Sequence, residues 1–418
     1  METDNNNNNN DTTTQQQTDQ EEVAFIDPNE GGEELIIDNK EEMMDDDDDG
    51  EDVGIEGEQE GEGEGDESME EDFEDESVQG FFEHTDSVYC VAINSVHPDV
   101  IVTGGGDDVA YLWDRSTGEK VHKLEGHTDS IAAVKFNGDG SLVATGGMDG
   151  YVKIWDVATG KLTQNLEGPS EAIEWMQWHP RGNIILAGAA DFCTFMWVTL
   201  KGDLAATFAG HSGPVTCGNF TPDGKRVVTG SDDGSIRVWN PKDSTCMGVI
   251  QGHGFHENLI TSLAIRNDNY LVITGGEDHF ACISNINTGK CVGRLTGHSD
   301  SVQIVAFSNL NNFAFTGSSD GTVRVWDIAT FQTRSILRHK EGSDITKIVP
   351  HPTQPILYTS STDRTICVWD ERNGQLIKQF KGHQDSILDF DITPDGSIVA
   401  TASDDKVSLI FSLQQPQQ

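Results

Sequence analysis

A twelve-residue pattern returns eight times and constrains this chain more than anything else in it: TGGGDDVAYLWD (103–114), TGGMDGYVKIWD (145–156), AGAADFCTFMWV (187–198), TGSDDGSIRVWN (229–240), TGGEDHFACISN (274–285), TGSSDGTVRVWD (316–327), TSSTDRTICVWD (359–370) and TASDDKVSLIFS (401–412). Its central Asp falls at 107, 149, 191, 233, 278, 320, 363 and 405, so the steps are 42, 42, 42, 45, 42, 43 and 42 residues. So regular a period calls for a repeat architecture in which each unit buries its apolar faces against its neighbours.

Each unit alternates short apolar/polar segments such as IAAVKF, SLVATGG and YVKIW with turn chemistry such as NGDG (137–140), ATGK (158–161) and TPDG (221–224). These read as strands and tight turns. One four-stranded sheet cannot cover both its faces, whereas stacking such sheets around an axis covers them and leaves only short edges. With Gly-His before the pattern in most units and Trp-Asp closing it in four, the units resemble WD40 repeats. The expected fold is all-β, an eight-bladed WD40 β-propeller over residues 76–413, with a tail at 1–75 and a short C-terminal tail at 414–418.

The ring needs a closing piece. In this architecture a blade's outermost strand precedes the next Gly-His, as in KVHKLEGH (120–127) and QLIKQFKGH (375–383), yet the chain ends at Gln418, soon after the third strand of repeat eight. SVQGFFEH (77–84) aligns with KVHKLEGH position for position, placing Val78 and Phe81 where Val121 and Leu124 lie. Residues 76–83 are therefore expected to supply the missing strand of the last blade.

A polar set recurs with the repeat: His at its start, Thr four residues before the Asp, the Asp, and Trp six residues after it. Buried indole and imidazole N–H groups need partners, and this spacing can join all four across one blade. The complete sets are His127, Thr145, Asp149, Trp155; His211, Thr229, Asp233, Trp239; His298, Thr316, Asp320, Trp326; and His339, Thr359, Asp363, Trp369, with His84, Thr103, Asp107 and Trp113 matching in blade one. Blade three has Pro169 and Ala187 in place of His and Thr, so Asp191 and Trp197 must find other partners. Blade five has Ser284 and blade eight Phe411 in place of Trp.

Catalytic chemistry is not legible. The recurrent histidines belong to different blades and cannot converge on one metal ion at about 2 Å; His97, His179 and His351, each before Pro, fall in turns. GEGEGD in the leader lacks a preceding strand and sits among acids that repel phosphate. The TGK turns lack the rest of a P-loop, and Ser212 in GHSGP has no recognisable base. No enzyme activity, metal or cofactor is expected.

Charge separates the leader from the repeats. Residues 1–79 hold 33 acids against one lysine, Lys40, leaving −14 of the formal −46 to the other 339 residues. NNNNNN, QQQ, DDDDD and EGEQEGEGEGDE offer too little apolar surface to offset ordering entropy, so 1–75 are expected to be disordered. Phe25-Ile26 and Leu35-Ile36-Ile37 read as idle or as transient docking points, and Ser68 and Ser77 as exposed serines open to phosphorylation. Seven cysteines without a CxxC motif, and no run of 18 apolar residues, suit a soluble protein of the cytoplasm, with the nucleus as the alternative, and no membrane insertion. So acidic a chain disfavours direct nucleic-acid binding and favours basic partners.

Acids also recur on the face where the blade-start loops and the Asp-bearing turns open. Asp86, Asp129, Glu171, Asp300 and Asp385 lie at or near the second position after the His register, Asp344 takes that place after an insertion, and Asp232, Glu277 and Asp404 immediately precede the repeat Asp. Such a ring suits a Lys/Arg-rich peptide. Asp after Gly-His-Ser/Thr is also ordinary turn chemistry, bonding its own backbone. Trp175 aligns with small Ala133, so it reads either as an aromatic interface anchor near the channel mouth or as filler for blade three's missing His and Thr.

EGPSEAIEWMQWHPRGNIILAGAADFCTFMW (167–197), followed by TPDGKRVVTGSDDGSIRVWN (221–240), resembles the angio-associated migratory cell protein family. The shared features are a third blade without its His, the WMQWHP motif and an acidic leader; the Asn/Gln tract departs from that pattern. The family looks related to a fungal chaperone dedicated to one large-subunit ribosomal protein, whose basic N-terminal segment is held on an acidic propeller face. The resemblance thus implies a monomeric, non-catalytic propeller that escorts a basic ribosomal protein, while the family name implies a scaffold in cell migration and signalling.

Overall fold

The computed structural model describes residues 74–252 and 254–413. Its strands form eight four-stranded antiparallel sheets. In the first blade Val88–Ile93, Val100–Gly105, Ala110–Asp114 and Lys120–Leu124 run in order from the centre outward. The first strands of neighbouring blades touch one another all the way round, blade eight to blade one included, which makes the architecture a closed eight-bladed propeller. No helix among the described residues is long and apolar enough to cross a membrane.

The core is not central but is divided among the junctions between blades. Eight buried apolar clusters each join residues of two neighbours, for example Val152, Ile154 and Leu166 of blade two with Met176, Phe195 and Trp197 of blade three. This is why the middle strands read as nearly continuous apolar runs: both faces of each sheet are covered. Outermost strands such as Lys120–Leu124 alternate in exposure and end on one buried apolar residue.

Ring closure matches the expectation at strand level. Gln79–Phe81 is the fourth strand of the last blade, paired antiparallel with Ser408–Ser412 through Gln79↔Ile410 and Phe81↔Ser408. Phe81 is 1% exposed, as Leu124 is 0%, while Val78 and Phe82 remain 55% and 69% exposed. Of the three apolar residues in that segment, only Phe81 is built into the core. A second closure lies at the axis, where Asp389 and Asp391 of blade eight accept the backbone N–H groups of Val91 and Ile93 at 3.0 and 2.9 Å, and Lys347 of blade seven pairs with Asp389 at 2.6 Å.

Contacts to the propeller already occur just before residue 76, among the first described residues. Glu76 bonds the Lys381 carbonyl through its N–H and pairs with Lys378 at 2.7 Å, and Glu74 lies 3.8 Å from Lys381. Lys378 and Lys381 flank the end of a fourth strand and attract the last acids of the leader. The expectations for residues 1–73 and 414–418, including Ser68 and the GEGEGD string, lie outside the described residues.

Candidate partner-binding face

The blade-start loops and Asp-bearing turns are held by the recurrent polar set. In blades two, four, six and seven, Nδ1 of His127, His211, His298 and His339 lies 2.9–3.0 Å from Asp149, Asp233, Asp320 and Asp363. Nε2 lies 2.7–2.8 Å from the hydroxyls of Thr145, Thr229, Thr316 and Thr359. The same hydroxyls accept from the indole N–H of Trp155, Trp239, Trp326 and Trp369 at 2.8–2.9 Å. In blades two and four a neutral imidazole protonated at Nδ1 satisfies every group: it donates to Asp and accepts from Thr, which in turn accepts from Trp. Each carboxylate also takes the N–H of the residue after the His, from Thr128, Ser212, Ser299 and Lys340. Loop and turn are thereby fixed to one another. In blade two the Gly before Met148 is required, because a Cβ on Gly147 would stand 2.4 Å from both His127 Nδ1 and Asp149 Oδ1.

These bonds set the charge states. Burial opposes ionisation of Asp233 and Asp363, but hydrogen bonds from Ser235 and His211, and from His339 and Thr365, outweigh it and hold both carboxyls down at about 2; Asp320 is also lowered. Burial lowers His127 and His211. It acts the same way on His339, but the Asp363 carboxylate and the Cys367 thiol prevail and raise that imidazole to about 9.

The irregular blades depart from the pattern in specific ways. In blade one His84 reaches Asp107 and Thr103 as expected, but the Trp113 indole N–H is buried with no hydrogen-bond partner among the described residues. Tyr111 occupies the space beside His84, ring centroids 4.7 Å apart, and Trp113 stacks on Phe81 instead of reaching Thr103. In blade three Asp191 accepts from the Ser170 and Cys193 N–H groups, and Trp197 donates to the Glu167 carbonyl at 2.9 Å. In blade five the histidine is His256, bonded to Asp278 and Thr274 at 2.9 Å, and Phe280 stacks on it. Its separation of 22 residues from Asp278 equals that of His127 from Asp149, a spacing signal masked by the Gly-His at 252–253. Blade eight keeps His383, Thr401 and Asp405, with Phe411 beside the imidazole.

Trp175 is built between blades three and four. Its indole donates to the Val215 carbonyl at 2.8 Å and its ring lies where a Cβ on Gly188 or Gly218 would come within 2.1 or 2.3 Å. The structure packs it at the junction of blades three and four, half-buried, with its indole N–H spent on the Val215 carbonyl.

Asp86, Asp129, Glu171, Asp232, Glu277, Asp300, Asp344 and Asp385 are all exposed, and Asp404 is half-buried. Turn stabilisation and availability coexist in one side chain. Asp86, Asp129, Asp300 and Asp385 each use Oδ1 to accept the N–H of the following Ser at 2.7–2.9 Å, while Oδ2 takes no hydrogen bond among the described residues. The opposite face differs: Nε2 of His179 and of His351 donates to the Gly224 and Asp395 carbonyls of the next blade, and Asn94 and Asn137 bond Gly140 and Asn183. These four side chains bond neighbouring blades, whereas Oδ2 of the four acidic-face aspartates is not used in that way.

Counting acids alone missed the cations on that face. Lys340, Arg364 and Lys406 are exposed in the same loops of blades seven and eight, and Lys406 donates to the Thr85 carbonyl at 3.0 Å, 3.8 Å from Asp86. Glu257, beside His256, joins the acids. The cations interrupt the ring in blades seven and eight, where Asp344, Asp385 and Asp404 also lie, and leave an arc without Lys or Arg in those loops over blades two to six, with Asp129, Glu171, Asp232, Glu257, Glu277 and Asp300.

Among the described residues no group of three or more His, Cys, Asp or Glu is placed to hold a metal ion. The model of the WD domain, G-beta repeat, matches eight times, over residues 75–114, 118–156, 160–197, 202–240, 244–283, 289–327, 331–370 and 374–411. An uncharacterised WD repeat-containing protein of Schizosaccharomyces pombe is 41% identical over 81% of this chain and 87% of its own length. Human angio-associated migratory cell protein is 36% identical over 82% of this chain and 81% of its own. Among solved structures, Chaetomium thermophilum Sqt1 bound to the N-terminus of the ribosomal protein L10 superposes with a TM-score of 0.76 at 26% identity, over 81% of this chain and all of that one.

Proposed function

This chain belongs to the WD-domain, G-beta repeat family and is homologous to angio-associated migratory cell protein, and from that premise we propose that it is a non-catalytic escort of a basic ribosomal protein. A propeller of this family is a protein-interaction scaffold. The observation that carries the finer reading is the set of exposed carboxylates on one face, among them Asp129 and Asp300 with Oδ2 free of hydrogen bonds among the described residues, on loops locked by the His-Thr-Asp sets. Fixed acids on rigid loops present complementary potential to a Lys/Arg-rich segment without ordering cost. The similar Sqt1 propeller is bound to the N-terminus of ribosomal protein L10, which supports a client of that kind. By pairing with its cations, the arc would keep the segment from RNA until delivery. Cytoplasmic and nuclear residence both suit that role.

The test is titration with a synthetic peptide copying a basic L10 N-terminal segment, in steps of salt. Affinity should fall steeply with ionic strength, because exposed pairs are screened over about 8–10 Å. Replacing Asp129, Asp232, Glu277 and Asp300 with Lys should abolish binding while the fold persists; unchanged binding would sink the reading.

A second reading, a signalling scaffold, is favoured by exposed apolar residues on the outer strands, such as Met247, Leu376 and Ile377, 57%, 49% and 51% exposed. Salt-resistant capture of folded partners that ignores the acid reversals would select it.

A further inference from the structure

We propose that a cleft on the side of blade five docks a short extended segment of another protein, one that carries an acidic residue beside apolar ones. Three substitutions in the repeat coincide there. Cys282 stands where blades two, four and six have Lys153, Arg237 and Arg324, Ser284 where they have Trp155, Trp239 and Trp326, and Phe255 where they have the Gly before the His. In those blades the long cation lies against that Gly: a Cβ on Gly126, Gly210 or Gly297 would stand 3.9, 3.0 or 2.9 Å from it. Blade five thus loses an indole and a long cation and gains one phenyl ring. What remains is an open cleft of about 500 Å³, between the end of blade four's fourth strand and the fourth strand of blade five, Lys290–Thr296.

The lining combines two chemistries. Ile250 and Phe255 are buried apolar walls, and Val292, 45% exposed, is an apolar rim. Lys290 and Arg294 are exposed, neither side chain has an ion-pair or hydrogen-bond partner among the described residues, and the lining includes no Asp or Glu. Arg294 is nonetheless held in place: its Cζ lies 3.7 Å from the centroid of the Phe280 ring, which in turn stacks on His256 with planes inclined by 8°. A guanidinium fixed on an aromatic face keeps its N–H groups for a carboxylate and pays little ordering entropy to meet one.

Charge and shape together define the occupant. In a chain with 72 acids against 26 Lys and Arg, a cleft with two unpaired cations and no acid is complementary to a carboxylate-bearing segment, and its apolar walls ask for apolar neighbours beside that carboxylate. The lining residues 289–294 are consecutive, so the cleft follows the fourth strand, the last of its sheet, whose outer edge no strand pairs. About 20 Å of strand matches an extended segment of about six residues, which can also bond that free edge. The site lies on the side of the ring, away from the acidic face, so it stands whether or not that face holds a basic client.

The experiment pans the full chain against a random heptapeptide library displayed on phage and measures synthetic copies of the enriched peptides by fluorescence polarisation. A class with Asp or Glu next to apolar residues should be enriched. Its members should bind the double variant Lys290→Glu, Arg294→Glu about tenfold more weakly, and weaken similarly when their own acid is changed to the amide. Both positions are exposed, so the variant should fold. Lys161→Glu with Lys201→Glu, an equal change of charge at two other exposed sites, should leave the affinity unchanged. Ser284→Trp, which returns the indole of the repeat to the cleft, should block the same peptides. If no acidic and apolar class is enriched, if that class binds the Lys290→Glu, Arg294→Glu variant as it binds the wild type, or if the control pair weakens it as much, the proposal is overturned.

Discussion

Phe81 and Trp113 stack with ring centroids 5.3 Å apart and planes inclined by 15°. One ring comes from the start of the described chain and pairs into blade eight, the other from blade one, so the contact seals the ring at its outer edge. Phe81→Ala should remove the stack, open a cavity and weaken the strand pairing, at a cost of about 3–5 kcal/mol. Phe82→Ala, one residue on and 69% exposed, should change stability by less than about 0.5 kcal/mol. Urea unfolding of the two variants checks the contrast; equal effects would contradict the register.

At the axis the closure is polar. Asp389 accepts from Val91 and pairs with Lys347, whose carboxylate partner raises it against burial. Asp389→Ala leaves both the amide and the ammonium unpaired and should cost about 3 kcal/mol. Asp389→Asn keeps an acceptor for Val91 and should cost less. The Asp389→Ala loss should shrink when Lys347→Met removes the orphaned charge, a double-mutant cycle read by chemical denaturation.

How far the sequence disclosed this protein depends on whether an interaction lies within one repeat. The blade count, the closing role of Phe81 and the four complete polar sets follow from spacing, because each involves one repeat or an alignment between two. Trp113 shows the limit: its position was legible, but its orientation depends on Tyr111 and Phe81, which spacing does not weigh. Trp175 was ambiguous because its partner is the Val215 carbonyl one blade away. A signal was present, since Gly218 stands in the column where other blades have Val134 or Val305, making room for a neighbour's indole. The ring of acids was read without Lys340, Arg364 and Lys406, which interrupt it in the same loops, because these cations stand at other positions of the repeat register than the acids do.

Stability should fall on both sides of neutrality, for separate reasons. Asp233 and Asp363 ionise at about 2 in the fold against an ordinary 3.8, so their contribution is present above pH 3.8 and lost as pH falls toward 2. His339 has the opposite sign: raised from 6.5 to about 9, its contribution is present below pH 6.5 and lost as pH rises through 9. Midpoints of thermal unfolding across pH should show both limbs. His339→Asn should flatten the alkaline limb and shrink the share of the acid limb that Asp363 owes to His339, leaving the share of Asp233 in place.

The cations of blades seven and eight offer the last prediction, since they interrupt the charge of the proposed binding face. Lys340, Arg364 and Lys406 would repel a basic segment, and Lys406 also lies 3.8 Å from Asp86. Changing all three to Glu should extend the arc and release Asp86 to a client, tightening a basic peptide by about 0.5–1 kcal/mol per site at low ionic strength. The gain should appear mainly in the association rate and fade at high salt, where exposed charges are screened. Lys161→Glu, in the turn between the third and fourth strands and so at the opposite end of blade two, makes one such charge reversal elsewhere. If that control tightens the peptide as much per charge, attraction to the protein's total charge rather than to this face holds the client.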